Sequence, residues 1–213
     1  GEIDDVVIGV ATQGGAQGFN MGRQIALRAG LPVEISGMTM DRQCSSGLMA
    51  VATAAKQIIV DRMDICVAGG AESISAMRAG ASKPARDEGL REMYPDVFMP
   101  MMGTAEVVAK RYGIGRLAQD EYSVRSQKLT AAAQAGGKFD EEIIPVTTVM
   151  DVTDKATGEV SKREVTIKMD DCNRPDTTLE SLSALQPVMG EGYCITAGNA
   201  SQLSDGSSAV VMM

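Results

Sequence analysis

Apolar residues along this chain change their spacing twice, and the changes divide it into three stretches. The first alternates strand-like and helix-like patterns. Val6-Val7-Ile8-Gly9-Val10 is a continuous apolar run of the length expected for a buried strand. Gly14, Gly15 and Gly18 break the pattern as a loop. Helical spacing then runs from Met21 to Ala29, closed by Gly30 with Pro32 just beyond. Residues 35–40 predict a second strand. The clearest helix runs from Ser45 to about Val60, where Leu48, Val51, Ala52, Ala55 and Ile59 fall on one period. Met49, Ala50 and Ala54 fill its other faces, so this helix is expected to be buried nearly all round. Residues 64–68 predict a third strand, ending at Gly69-Gly70.

The middle stretch reads differently. Residues 79–102 are rich in charge, Pro, Gly and Met and have little periodicity. Helices are predicted over 105–111 and 117–135, the second stopped by Gly136-Gly137. Residues 143–152 and 160–169 predict a hairpin around the turn formers Asp154 to Gly158. Val165, Ile167 and Met169 alternate with polar residues, so one hairpin face is expected to be wet. The last stretch, from Thr196, is small, polar and glycine-rich before a final apolar run. The pattern therefore predicts an α/β core over 1–78 and 196–213, interrupted by an α+β insertion over 79–195.

Composition narrows the picture. A chain of 213 residues has room for one large or two small domains. Aromatics make up only 3% and Trp is absent, so the core must draw on aliphatic residues and on the 15 Met, whose flexible side chains fill irregular gaps. A net charge of −8 without a basic stripe argues against a nucleic-acid partner. An anionic ligand can still be held by local cations and helix N-termini. No apolar run reaches the roughly 18 residues of a spanning helix, so no membrane partner is expected. Cys44, Cys66, Cys172 and Cys194 form no C-x-x-C pair and the chain has no His. That argues against structural zinc and for free thiols in a reducing compartment. A cytoplasmic location is expected, or an organelle if a targeting peptide has been lost. Gly1 in place of Met, and a closing run Val210-Val211-Met212-Met213 that still reads as strand, lead us to expect a piece of a longer fold.

The chemistry concentrates in Met40-Asp41-Arg42-Gln43-Cys44-Ser45-Ser46-Gly47-Leu48. A strand delivers Cys44 to the start of the long helix. A helix N-terminus stabilises negative charge and so favours a thiolate placed there. Amides of the first turn can also receive an oxyanion, and Ser45, Ser46 and Gly47 are small enough to admit a substrate. A nucleophile for acyl transfer needs this combination. The plainer alternative is an inert buried cysteine.

This segment resembles the nucleophile motif of the thiolase family. Ala68-Gly69-Gly70-Ala71-Glu72-Ser73 is similar to the family's A-G-G-x-E-S turn. Met102-Gly103-Thr104-Ala105-Glu106 resembles its M-G-x-T-A-E segment with one residue fewer. Thr196-Ala197-Gly198-Asn199-Ala200-Ser201, with Asp205-Gly206 after it, resembles its T-A-G-N-A-S-x-x-x-D-G signature. The motifs occur in the family's order, and the resemblance runs along essentially the whole chain. It implies most of the N-terminal half of a thiolase fold, βαβαβαββ in layered α/β form, with an inserted α+β loop domain that binds coenzyme A. It implies that Cys44 is the acyl-accepting nucleophile and that its backbone N–H contributes to an oxyanion hole. It implies coenzyme A contacts at Arg174 and Ser181 near the nucleotide, and at Met102, Ala197 and Ser201 along the pantetheine arm. Without the motif, Arg174 would read as a surface charge and Met102 as core packing. Asn199 and Asp205 are read as residues that fix turns.

The implied reaction interconverts 3-ketoacyl-CoA plus CoA with acyl-CoA plus acetyl-CoA through an acyl-cysteine. Coenzyme A thioesters serve as substrates and no cofactor is implied. The implied assembly is a homodimer or homotetramer. Two departures stand out. Asp41 replaces the family's usual Asn, and a carboxylate turned inward would oppose a thiolate at Cys44, so Asp41 is expected to bond within its own turn. Met101 stands where some acetoacetyl-specific members have His, which favours a broader 3-ketoacyl range. The family's catalytic His and second catalytic Cys have no counterpart here, so the chain alone is expected to be inactive. Two alternatives remain at this stage: a relative of the β-ketoacyl synthases, and a non-catalytic acyl-CoA-binding protein of thiolase ancestry.

Overall fold

The apolar run at the start folds as β1 (Asp5–Gly9), and all five of its residues are buried. It lies inside a sheet, parallel to β2 (Ser36–Met40) on one side and to β3 (Cys66–Glu72) on the other. Strand β6 (Gly206–Met212) adds antiparallel to β3, giving the order β2-β1-β3-β6. The computed structural model describes residues 2–78 and 86–213.

Alternation along β1 sends its side chains to two different cores. Val7 faces Ala50, Ala54, Cys66 and Ala68, beneath helix α2 (Ser46–Lys56). Val6, Ile8 and Val10 face Ala26 of helix α1 (Met21–Arg28) on the opposite side. Cover on both faces explains the unbroken hydrophobic run, as parallel sheets require. Burying each of these valine and isoleucine side chains is worth about 1.5–3 kcal/mol. Met38, Met40, Met63 and Met212 close the gaps around the first core, the filler role expected for Met in a chain so poor in aromatics.

Helix α2 corrects the expectation of burial all round. Only Ser46, Ala50 and Ala54 are buried, while Leu48 is 75% exposed. The helix also ends sooner than its periodicity suggests. At Gln57–Asp61 it widens into one π-helical turn, and Ile59 and Val60 are exposed there. Small side chains on a single face let the helix lie close on the sheet, and the sheet covers only that face. The short helix α3 (Ile74–Arg78) follows β3.

The chain forms two compact units, Gly1–Arg86 with Leu203–Met213, and Asp87–Gln202. The 78/79 division read from the sequence abuts residues 79–85, which lie outside the described residues. At the other end the division falls near Leu203 instead of Thr196, because the backbone N–H groups of Cys194 and Ile195 and the side chain of Asn199 bond to helices of the second unit.

That second unit contains α4 (Glu88–Met93), α5 (Met101–Tyr112) and α6 (Arg116–Ala135), then the hairpin β4 (Val146–Thr153) and β5 (Val160–Ile167), then α7 (Leu179–Ser183). Asp87 caps α4 by accepting the Leu90 N–H, and Gly113 ends α5 in the left-handed region at φ +66°. The hairpin differs from its one-wet-face expectation. Its strands pair only with each other, and apart from half-buried Val152 and Val165 both faces are exposed. Among the described residues, no helix is long and apolar enough to cross a membrane.

Candidate functional site

Between the end of β2 and the start of α2, residues 41–45 form a turn stitched by its own side chains. The Asp41 carboxylate accepts the Gln43 N–H at 2.7 Å, the local bond expected of it. Gln43 adopts φ +49°, a left-handed conformation that costs a non-glycine residue about 1–2 kcal/mol. Ser46 holds it there. Its buried hydroxyl accepts the Arg42 N–H at 2.8 Å and donates to the Gln43 carbonyl at 2.6 Å. Ser45 donates through its hydroxyl to the Arg42 carbonyl at 2.8 Å and makes no capping bond to α2. Cys44 lies in the middle of this turn, exposed, with its thiol free.

Close packing sets the position of that turn over the sheet. A Cβ added to Gly9 would overlap the backbone of Ser46 and Gly47, and one added to Gly70 would stand 3.4 Å from Gly47 Cα. Gly9 and Gly70 are paired residues near the carboxyl ends of the parallel strands β1 and β3. The start of α2 therefore rests on bare backbone at the strand ends, where open α/β sheets place their ligands.

Other motif residues act as fasteners around this platform. Glu72, at the end of β3, accepts the Ala11 N–H at 2.7 Å and the Gln17 amide at 3.1 Å. Gln17 is buried and returns a bond by accepting the Ser73 N–H through its carbonyl oxygen. Asp205 accepts the Ser75 N–H and the Ser73 hydroxyl, each at 2.9 Å, and these bonds hold its carboxyl below the usual carboxylate range. Burial pushes the Cys66 thiol up, helped by the nearby charges of Asp5 and Asp4, and Cys66 is fully buried in the core beneath α2.

The remaining candidates all lie in the second unit. Met102 is the second residue of α5 and is 40% exposed. Arg174 is exposed; its N–H donates to Gln127 Oε1 at 2.8 Å and its carbonyl accepts the Thr177 N–H at 3.1 Å. Four residues later Thr178 and Ser181 form a reciprocal capping box at the start of α7. Ala197 and Ser201 are exposed on the 194–202 loop. Gly198 brings that loop against α7, since a Cβ there would overlap Leu182 Cδ2 of α7 and stand 2.7 Å from Leu185 Cδ1 just beyond it. Ser181 and Ala197 thus belong to neighbouring elements of one surface, and the Arg174 turn leads directly into it.

Three polar residues hold this surface together. Glu106 of α5 accepts the Cys194 and Ile195 N–H groups at 2.8 and 2.6 Å. Asn199 accepts the Thr196 N–H at 2.7 Å and donates to the Cys194 carbonyl at 3.0 Å and to Asp120 of α6 at 2.9 Å. Asn199 and Asp205 therefore fix turns, as read from their residue types. Gln17 and Asp120 escaped the sequence reading. Each is a buried polar residue with a partner far along the chain, 55 positions away for Gln17 and 79 for Asp120, and no local pattern marks those long-range pairs.

Comparison with known proteins agrees with this arrangement. The family model "Thiolase, N-terminal domain" matches residues 1–213. The 3-ketoacyl-CoA thiolase of Bacillus subtilis is 43% identical over all of this chain and 54% of its own length. The acetyl-CoA acetyltransferase of Cupriavidus necator is 40% identical over all of this chain and 54% of its own. In the crystal structure of the Bacillus anthracis acetyl-CoA acetyltransferase, 53% of that chain superposes on 99% of this one with TM-score 0.79 and 34% identity. The chain thus spans about half the length of the curated relatives it matches. The motifs around Cys44, Glu72, Glu106 and Asn199 and these matches agree: the chain belongs to the thiolase family and carries its N-terminal domain.

Proposed function

We propose that this chain supplies the acyl-accepting cysteine of an enzyme that interconverts 3-ketoacyl-CoA plus CoA with acyl-CoA plus acetyl-CoA. The observation that carries the reading is exposed Cys44, held in a hydrogen-bonded turn directly before a helix whose N-cap side chain makes no capping bond. The Cys44 sulfur attacks the 3-keto carbonyl, and the bond between carbons 2 and 3 breaks. The acyl group stays on sulfur as a thioester, and the departing acetyl-CoA carbanion takes up a proton. Free CoA then accepts the acyl group through its own sulfur and restores Cys44. Negative charge develops on the carbonyl oxygen in both steps, and the Cys44 backbone N–H is the donor we assign to it.

In this reading the second unit binds the coenzyme A. Arg174 and Ser181 meet the nucleotide end, where a guanidinium suits phosphate and adenine. Met102, Ala197 and Ser201 line the pantetheine arm. The proton transfers need a base, and this chain has no His. We assign them to residues outside it and expect the chain alone not to turn over. Met101 in place of a His favours a range wider than acetoacetyl-CoA. A homodimer or homotetramer, working in a reducing compartment such as the cytoplasm, completes the proposal; relatives named peroxisomal make an organelle the other location to test.

The test is mass spectrometry of the protein after incubation with acyl-CoA. The acyl mass is expected on the peptide containing Cys44 and is lost in Cys44→Ser. An active enzyme with that peptide unmodified refutes the assignment.

A further inference from the structure

We propose that Asp120 is a positioning residue for coenzyme A: through Arg116 and Asn199 it sets the spacing between helix α7 and the 194–202 loop. The inference rests on the reading above that Ser181 on α7, and Ala197 and Ser201 on the loop, touch coenzyme A.

Asp120 is 1% exposed, and a buried carboxylate is costly unless both oxygens are engaged. Here both are, and they point to different elements. Its Oδ2 accepts from Arg116 Nε at 2.7 Å, and its Oδ1 accepts from Asn199 Nδ2 at 2.9 Å. The outer nitrogen of Arg116 donates in turn to the carbonyls of Leu182, within α7, and of Leu185, just beyond it, the latter at 3.1 Å. One ion pair on α6 thus grips the end of α7 with its cation and the loop with its anion. Glu106, on the same helix as Met102, fixes the start of that loop at Cys194 and Ile195. None of Asp120, Arg116, Asn199 and Glu106 is itself a candidate contact to the ligand. A ligand that spans α7 and the loop depends on their separation, and this clamp sets it.

Replacing Asp120 by Asn keeps the shape and removes one acceptor, so either Arg116 or Asn199 faces another N–H. Losing a hydrogen bond to a charged group in this way is expected to weaken coenzyme A binding about tenfold or more. The effect should fall on binding and not on acyl transfer. For acylation of Cys44, the half-saturating acyl-CoA concentration rises about tenfold while the rate at saturation stays within about twofold. A short acyl donor without the nucleotide, an N-acetylcysteamine thioester, should acylate D120N at the wild-type rate. General unfolding would lower that rate as well, so the split separates positioning from mere stability.

Calorimetric titration with free coenzyme A, with melting curves on each variant, tests the idea. Asn199→Ala is the second variant; it leaves the Arg116–Asp120 pair intact and is expected to show the same loss. The double variant should be no weaker than the worse single one, because both break the same link. Wild-type affinity in a folded D120N or N199A overturns the proposal. A wild-type protein that binds no coenzyme A refutes the functional reading instead, so the two failures are distinguishable.

Discussion

Substituting Gly9 by Ala probes the platform beneath Cys44 without touching the cysteine. Gly9 ends β1, and the Cβ of an alanine there would lie against the carbonyl group of Ser46 and the amide of Gly47. Those are backbone atoms, which cannot rotate away. The added carbon would sit about 1 Å inside the separation at which ordinary contact begins, so the first turn of α2 must lift by a similar amount. Overpacking of this kind costs about 1–3 kcal/mol. Because the turn 41–45 is bonded to Ser46 by both of that residue's hydroxyl bonds, Cys44 moves with the helix. A misplacement of about 1 Å at a reacting atom can cost on the order of 100-fold in rate. The assay pairs urea unfolding with the rate of Cys44 acylation, measured well below the unfolding midpoint. Gly206→Ala is the control within the same unit: nothing stands within 4 Å of its added carbon, so stability should change by no more than about 0.5 kcal/mol. If G9A keeps both wild-type stability and the wild-type acylation rate, close packing of Gly9 under α2 does not position the nucleophile.

Two further outcomes follow from the same geometry. Iodoacetamide should modify exposed Cys44 well before buried Cys66, whose thiol burial and the charges of Asp5 and Asp4 hold up; timed peptide mapping checks this, and faster labelling of Cys66 contradicts the packing described. Asp205 should report on acid. Its folded pKa lies below the ordinary 3.8 because it accepts from the Ser75 amide and the Ser73 hydroxyl, so its support is complete above that value and is lost as the pH falls through the lowered one. Carboxyl NMR of Asp205 should show a midpoint below 3.8 that returns toward the ordinary value in Ser73→Ala.

Much of the local structure was legible because local rules decide it. A strand buried on both faces must be apolar throughout, and Val6 to Val10 reads that way. A helix followed by Gly and Pro ends where those residues say, as α1 does before Gly30. The turn formers of 154–158 place the hairpin bend, and Asp154 accepts the Ala156 and Thr157 N–H groups there. The short helices α3, α4 and α7 went unread, since five or six residues hold too little periodicity to stand out.

By itself the sequence determined the order of the longer elements, the motif that puts Cys44 before a helix, and the family to which that motif belongs. Spacing along the chain encodes such features directly. Tertiary structure alone decided which face of α2 is covered, where the second unit ends, and which polar residues bind distant segments together. Those depend on contacts between residues far apart in sequence. Glycines at positions 9, 47 and 70 meet only when strands and helix pack, and Asp120 finds Asn199 only when the second unit folds.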